Sequence, residues 1–569
     1  MTDPNPQDAT TNPGGNRAGS PDGHLATGAR LLAEGRAVEA IESLSQAASA
    51  EPGNFEAHLL LGRAFHGAGR LPDAIGSFQT ALALKPTDPE VYLHLGSVCS
   101  RLGALDEAAF MLGHALELRP GMIEAHNNLG LVLCRQKKFD EAETLLRKAL
   151  IRSPDQPQLH ATLGSVLSET GRVRNALAHL EEAVRLDPDY GEAHSNLGNV
   201  LRDLGRIEDA FAAYDKAIEM VPDNPHAHVN RGVALLLTGD YGRGWHEYEW
   251  RLKTPEARAV ADLPPPWQGE ALQGKTILVY TEQGVGDVVM FASILPDLVK
   301  TGARVILAAN PRLVPLLRRS FPEIEVHDLA DINPSEAGAG QDHGHGLGPI
   351  AEGADHAVSI ASLARYFRQA HTDFLAAAPN RYLTPDPAAV ELWRKRYAEL
   401  GDRLTIGISW RGGVTAWDQR LRSTGLDDWG ELFAIGGVNW VNLQYGDRDE
   451  DIAALEAESG FKLHDWPDAI ADLDDFAAQV DALDLVISMS NSTVHFAGAL
   501  AKPVWTLVPF VPAWRWGLDG DSCPWYPSMR LVRQIEDQPW RDVLSPLADG
   551  IKELRDRGAA QEDTPPEAP

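Results

Sequence analysis

The 569-residue sequence predicts an all-α solenoid followed by two α/β domains built on parallel sheets. Three observations carry that prediction. Small residues and prolines recur every 34 positions through the first half of the chain. Past residue 261 the period stops, and short β-branched runs alternate with helical segments, the pattern of parallel strands with covering helices. Each of the two α/β sets opens on an apolar strand that runs straight into a glycine-rich turn.

Composition narrows the function classes. Lys and Arg number 51 against 81 Asp and Glu, a net charge of −30. That balance excludes a nucleic-acid binder, whose affinity rests on neutralising phosphates. Cys99, Cys134 and Cys523 lie far apart with no CxxC pair, so no disulfide framework or zinc ribbon is expected. Residues 1–21 are polar and rich in Pro, Gly, Asn and Asp. Without an apolar stretch they are read as a disordered tail and not a signal peptide. Residues 558–569 are read as a second tail. No run of about eighteen apolar residues occurs, so no membrane span is expected, and the chain is placed in the cytoplasm.

The period is read in four registers. Gly28, Gly62, Gly96, Gly130, Gly164, Gly198 and Gly232 are spaced by 34. Pro52 through Pro222, Ala40 through Ala210 and Ala47 through Ala217 keep the same step. The small residues let paired helices approach, and each proline stops the second helix of its unit. The pattern resembles the tetratricopeptide repeat (TPR). Seven units fit within residues 22–256, the last of them degenerate, giving a solenoid with a concave face. Asn128, Asn196 and Asn230 stand two positions before the repeat glycine, with Thr162 and His94 in register. Asparagines so placed resemble those that grip extended peptides in TPR arrays. The alternative is a polar helix-surface ladder without a ligand.

Ala261-Asp-Leu-Pro-Pro-Pro-Trp267 is a stiff connector. The first α/β set, residues 257–400, has candidate strands Thr276–Tyr280, Arg304–Ala308, Glu323–Val326 and His356–Ile360. Helices are expected from Asp287 and Pro311. Residues 331–353 form a loop in which Asp342, His343 and His345 lack a helix to fix a metal-binding spacing. The second set, residues 401–557, follows a helix near Ala388–Leu400. Its strands are Leu404–Trp410, Trp440–Gln444, Lys462–Asp465, Leu485–Met489 and Pro503–Val508. Two doubly wound domains imply a cleft, with ligands at the carboxyl ends of the strands.

Three motifs carry chemistry. Glu282-Gln-Gly284-Val-Gly286-Asp287 follows the first strand; its glycines allow a tight turn and close ligand approach. It lacks the third glycine of a dinucleotide fingerprint and the Lys-Ser/Thr of a phosphate-binding loop. Asp287 falls where the helix begins, so it is either functional or a plain N-cap. Trp410-Arg411-Gly-Gly413 with Arg420 and Arg422 suits a diphosphate, through backbone N–H groups and a planar cationic fork. Ser492, Thr493 and His495 open a helix after Leu485–Met489, an end that attracts anions. The alternative there is Ser490 or Asn491 as cap and His495 as a core residue. Trp514, Arg515, Trp516, Trp525 and Tyr526 add aromatic surface that either stacks on a ligand or packs domains together.

Together, Thr281–Asp287, Ile408–Gly413 and Ser488–Leu500 resemble bacterial glycosyltransferases of family 9, the heptosyltransferase-like group, in the branch fused to TPR arrays. Pro509–Trp516 and Cys523–Arg530 are similar to that branch as well. The resemblance spans about residues 264–545. It implies a GT-B fold of two Rossmann-like halves, the first on the acceptor side and the second on the nucleotide-sugar side, with no metal and no cofactor beyond the donor. It implies Asp287 as general base in an inverting transfer. Gly284, Gly286, Arg411, Ser492, Thr493 and His495 would lie at the donor diphosphate. One departure stands out: the family's Asp-Thr ahead of the histidine is replaced by Ser490-Asn491.

The function expected is transfer of a sugar from a nucleotide sugar to an acceptor hydroxyl on a protein, flagellin-like in the branch it resembles, recruited by the TPR concave face. The alternative is a non-catalytic TPR adaptor carrying a degenerate transferase domain.

Overall fold

The computed structural model describes residues 20–254, 257, 263–329, 351, 353–377, 381–413 and 416–562. The segment around Asp342, His343 and His345 lies outside them. By its contacts the chain divides into two compact units, one ending at Asn196 and the other beginning at Leu197.

Fourteen α-helices run in antiparallel pairs from Pro21–Ala33 to Tyr241–Tyr248, a TPR solenoid of seven pairs among the described residues. The first thirteen alternate between 13 and 14 residues, and the last shrinks to 8 before a 3₁₀ turn at Glu249–Lys253. The repeat glycine has a specific packing reason. A Cβ on Gly62 would lie 2.5 Å from the Phe78 ring, and one on Gly164 would lie 2.6 Å from Leu180 Cγ. Each glycine from Gly28 to Gly198 thus admits a large side chain from the second helix of its own pair, while Gly232 lies against the backbone at Tyr248. Leu44, Phe78, Leu112, Leu146, Leu180 and Tyr214 fill that slot and are fully buried. A further 34-residue column was not read from the sequence. Ring nitrogens of His58, His160, His194 and His228 meet the carbonyls of Pro52, Pro154, Pro188 and Pro222 at 2.8–3.1 Å, tying each turn to the next helix. The first helix begins at Pro21 with Ser20 as its cap, and the last helix of the chain, Leu547–Glu562, runs past residue 558.

The two parallel sheets follow, consistent with two Rossmann-like domains. The first contains β1 (Thr276–Tyr280), β2 (Arg304–Ala309), β3 (Glu325–Asp328) and β4 (His356–Ser359), in the order β3-β2-β1-β4, all parallel. The third strand starts two residues later than expected, because the turn closed by Ile324 N–H on the Phe321 carbonyl holds Pro322 and Glu323 out of the ladder.

The second sheet contains β5 (Leu404–Ser409), β6 (Val438–Asn442), β7 (Leu485–Met489), β8 (Val504–Val508), β9 (Ser522–Cys523) and β10 (Tyr526–Arg533), ordered β6-β5-β7-β8-β10-β9. Only the β9–β10 pair is antiparallel. Three sequence expectations need correction. β6 ends at Asn442, whose Oδ1 accepts from Gln444 N–H and turns the chain. Lys462–Asp465 is no strand; it contributes a single parallel bridge, His464 against Val441. β10, which adds a fifth parallel strand, was missed: Pro527 and two arginines mask a run in which Tyr526, Met529 and Leu531 are buried. Strands β7 and β8 are buried at every position, as a sheet covered on both faces requires.

Candidate functional site

In open α/β sheets, the crevice forms where neighbouring strands lead off in opposite directions. In the second sheet that point lies between β5 and β7. The loops leaving these strands meet through Asn491. Its Nδ2 donates to Ser409 Oγ at 2.6 Å and to the Arg411 carbonyl at 2.8 Å. Its Oδ1 accepts from Thr493 N–H at 3.0 Å, so Asn491 is the N-cap of the helix Ser492–Ala499. Of the two capping alternatives at this turn, Asn491 is the one realised. On the other flank, Gln444 Oε1 accepts from Ser409 Oγ and from the backbone N–H of Trp410 and Arg411, at 2.7–3.0 Å.

The Arg411 side chain does not turn to the Ser492 helix. It pairs with Asp451, which also accepts from Trp410 Nε1 at 2.7 Å, and donates to the Asp447 carbonyl at 3.1 Å. Arg411, Gly412, Gly413, Arg420, Gln444 and Tyr445 line an open cleft of about 610 Å³. Arg422 Nη2 donates to the Ser490 carbonyl, holding the turn before the helix from the opposite side.

The first α/β half reaches the Ser492 helix through Gly286. The helix Val285–Ala292 begins with Gly284 as its N-cap, and Asp287 is its third residue. The plain-cap reading of Asp287 is therefore wrong. Among the described residues nothing lies within 4 Å of a Cβ placed on Gly284. Gly286 is pressed against the Ser492 helix: a Cβ there would lie 2.9 Å from His495 Cδ2 and 3.2 Å from Ser492 Cα. Two helix starts thus abut, and Gly284, Gly286, Asp287, Ser492, Thr493 and His495 gather in one place. Arg411 joins them only through its backbone.

Asp287 is already engaged. Arg515 Nε donates to its Oδ1 at 2.7 Å, and Nη2 reaches the same oxygen. Arg515 also stacks on Trp514, 4.6 Å from the ring centre. Nothing in the sequence pointed to this pair beyond one cation set among tryptophans. His495 is 5% exposed, faces the Tyr526 hydroxyl through Nδ1 at 2.9 Å and stacks on Trp516. Burial, reinforced by the Arg515 and Arg422 charges, holds its pKa well below the ordinary histidine value. It is a neutral imidazole that supports the helix start. The other aromatic residues of this region pack between elements: Trp514 lies edge-on to Trp245 at 5.2 Å, and Trp525 edge-on to Phe291 at 5.7 Å.

The crevice of the first sheet, between β1 and β4, is filled from within the chain. Arg251, in the 3₁₀ turn after the last repeat, pairs with Glu249 and Glu282 and donates to Ser359 and Ser362 at 2.8–2.9 Å. The asparagine column of the solenoid makes contacts between repeats. Asn128 Nδ2 donates to Ser97 Oγ at 3.0 Å and Asn196 Nδ2 to Ser165 Oγ at 3.1 Å, while Asn230 is half-buried on the helix Pro225–Leu237. Among the described residues no helix is long and apolar enough to cross a membrane.

Similarities to known proteins fall on parts of the chain. Residues 4–231 match the cilia and flagella-associated protein 70 C-terminal domain family. Over 336 residues the chain is 32% identical to Protein FlbA of Caulobacter vibrioides, an overlap of 57% of this chain and 54% of that protein. The chain thus spans about half the length of that curated relative. Among solved structures, a tetratricopeptide repeat protein from Parabacteroides merdae overlaps 42% of this chain and 94% of its own at 18% identity, with a TM-score of 0.36. YrrB, described as a TPR protein with an unusual peptide-binding site, overlaps 33% and 96% at 22% identity, with a TM-score of 0.25. The chain is a TPR protein related to FlbA, with a parallel α/β region after its repeats.

Proposed function

We propose that the chain is a glycosyltransferase of GT-B type. It moves a sugar from a nucleotide sugar to an acceptor hydroxyl on a protein that the TPR array recruits. The observation that carries this reading is the abutment of Asp287, at a glycine-rich helix start of the first half, with the Ser492 helix start at the crevice of the second. An acceptor hydroxyl beside Asp287 gives its proton to the carboxylate as its oxygen bonds to the anomeric carbon. The bond from that carbon to the donor diphosphate breaks on the far side, and the diphosphate leaves with both bonding electrons. Helix-start N–H groups and guanidinium groups stabilise the charge that develops there.

The test is transfer by the full chain with a panel of nucleotide sugars and a flagellin-like acceptor, read as a mass shift. Asp287→Asn is expected to lower turnover by about 10²-fold or more, with folding retained. Unchanged turnover in that variant would remove the general base. The Asn column tests the recruiting role: loss of acceptor binding with donor hydrolysis kept in an Asn128→Ala, Asn230→Ala chain supports it, and unchanged binding leaves the column its bonds between repeats alone.

One observation favours a second reading, a non-catalytic TPR adaptor. Asn491, at the position where the resembled family carries an acidic motif, spends its whole side chain on capping and on Ser409 and Arg411. Thermal shifts against the nucleotide panel separate the two. A ligand at a hundred times its dissociation constant stabilises by about 2.7 kcal/mol, and a flat panel favours the adaptor.

A further inference from the structure

Arg515 is the feature that the transferase reading leaves unexplained. Both Arg515 nitrogens donate to one Asp287 oxygen, so while the pair is fixed that oxygen is occupied and an acceptor hydroxyl cannot use it. The surroundings of the pair suggest another partner for the cation. The starts of the helices Val285–Ala292 and Ser492–Ala499 abut beside it, and each helix start is the positive end of its dipole. Two hydroxyls there have no hydrogen-bond partner among the described residues: Ser490 Oγ, 1% exposed, and Thr493 Oγ1, 0% exposed. A buried hydroxyl without a partner is costly, and an anion at the helix start would satisfy both. No described residue lies within 4 Å of a Cβ placed on Gly284. Among the described residues, Asp287 is the carboxylate that pairs with Arg515.

We infer that Arg515 exchanges partners. In the free protein Asp287 holds it as an internal stand-in for an anion. When a diphosphate seats at the Ser492 helix start, Arg515 turns to it and releases Asp287. The inference rests on the transferase reading only in taking the donor's diphosphate as the natural anion. Binding of that group and freeing of the carboxylate then become one event. Asp287 is withheld until a donor is present.

The two members of the pair must therefore act in opposite directions on anion affinity, whereas an ion pair with a purely structural role makes them act alike. The experiment is calorimetric titration of the full chain with inorganic pyrophosphate. Asp287→Asn removes the competitor and is expected to tighten binding about tenfold; Arg515→Gln is expected to weaken it about tenfold, within the range usual for coupled sites. Where Arg515→Gln fails to melt cooperatively, Arg515→Lys is read instead; it keeps the charge, loses the fork and should weaken binding severalfold. Shifts in the same direction, or no pyrophosphate binding by the wild type and Asp287→Asn, overturn the exchange. Sugar transfer measured in parallel keeps the two ideas separable. Turnover without opposite shifts ends the exchange and leaves transfer standing; opposite shifts without turnover support the exchange and count against transfer.

Discussion

Gly286 and His495 stand in contact across the two α/β halves, with only 2.9 Å between the imidazole Cδ2 and the place a Cβ would occupy on the glycine. The ring cannot give way, being fixed between the Tyr526 hydroxyl and Trp516. Gly286→Ala is expected to cost about 1–3 kcal/mol through overpacking, read from urea denaturation. Gly284→Ser, whose Cβ meets no described residue within 4 Å and which supplies a capping hydroxyl, should be neutral or slightly stabilising.

His495 should make stability pH-dependent with a definite sign. Its folded pKa lies well below 6.5, so below that pH the unfolded chain takes a proton that the folded chain refuses. Stability from this group is complete above about pH 6.5 and falls as pH drops, by about 1.4 kcal/mol per unit. His495→Asn should cost about 1.4 kcal/mol less at pH 5.5 than at pH 7.5. An equal cost at both would mean that the imidazole is not held neutral.

The Arg251 cluster predicts a large single-site loss. Arg251→Met strands Glu282 and Glu249 around a buried crevice and should cost about 3–5 kcal/mol. Adding Glu282→Gln should recover part of it. The double variant's melting transition checks both statements.

The asparagine column predicts coupling between repeats. Asn128→Ala should cost about 1 kcal/mol, and Ser97→Ala should add little to it, since both remove one bond. Additive losses in a double-mutant cycle would show that the bond is not formed in solution.

Local pattern decided what could be read from the chain. The 34-residue registers gave the helical pairs, because each position has a single packing job repeated at a fixed distance. Strand Leu485–Met489 was read to the residue, since an apolar run bounded by Ser490-Asn491 admits little else. β10 was hidden, because a strand with Pro527 and exposed arginines looks like a loop until a partner is known. The candidate site divided in the same way. Glycine turns and a helix start are local signals, and they converged. The Asp287–Arg515 pair joins residues 228 apart, and the Arg411 side chain answers to Asp451, 40 positions on. No spacing rule encodes such partners.

The docking of the last helical pair decides how this chain could be dissected or recombined. Trp245 donates to the Arg368 carbonyl at 2.7 Å and lies edge-on to Trp514, while Arg251 closes the first sheet's crevice. A fragment begun at the change of composition would expose that tryptophan slot and unmask Glu282. One begun near Leu197 carries its own plug. Solenoids exchanged between related chains would have to be spliced ahead of that point, which makes the final repeats heritable with the α/β unit and leaves the earlier ones free to diverge with whatever they bind.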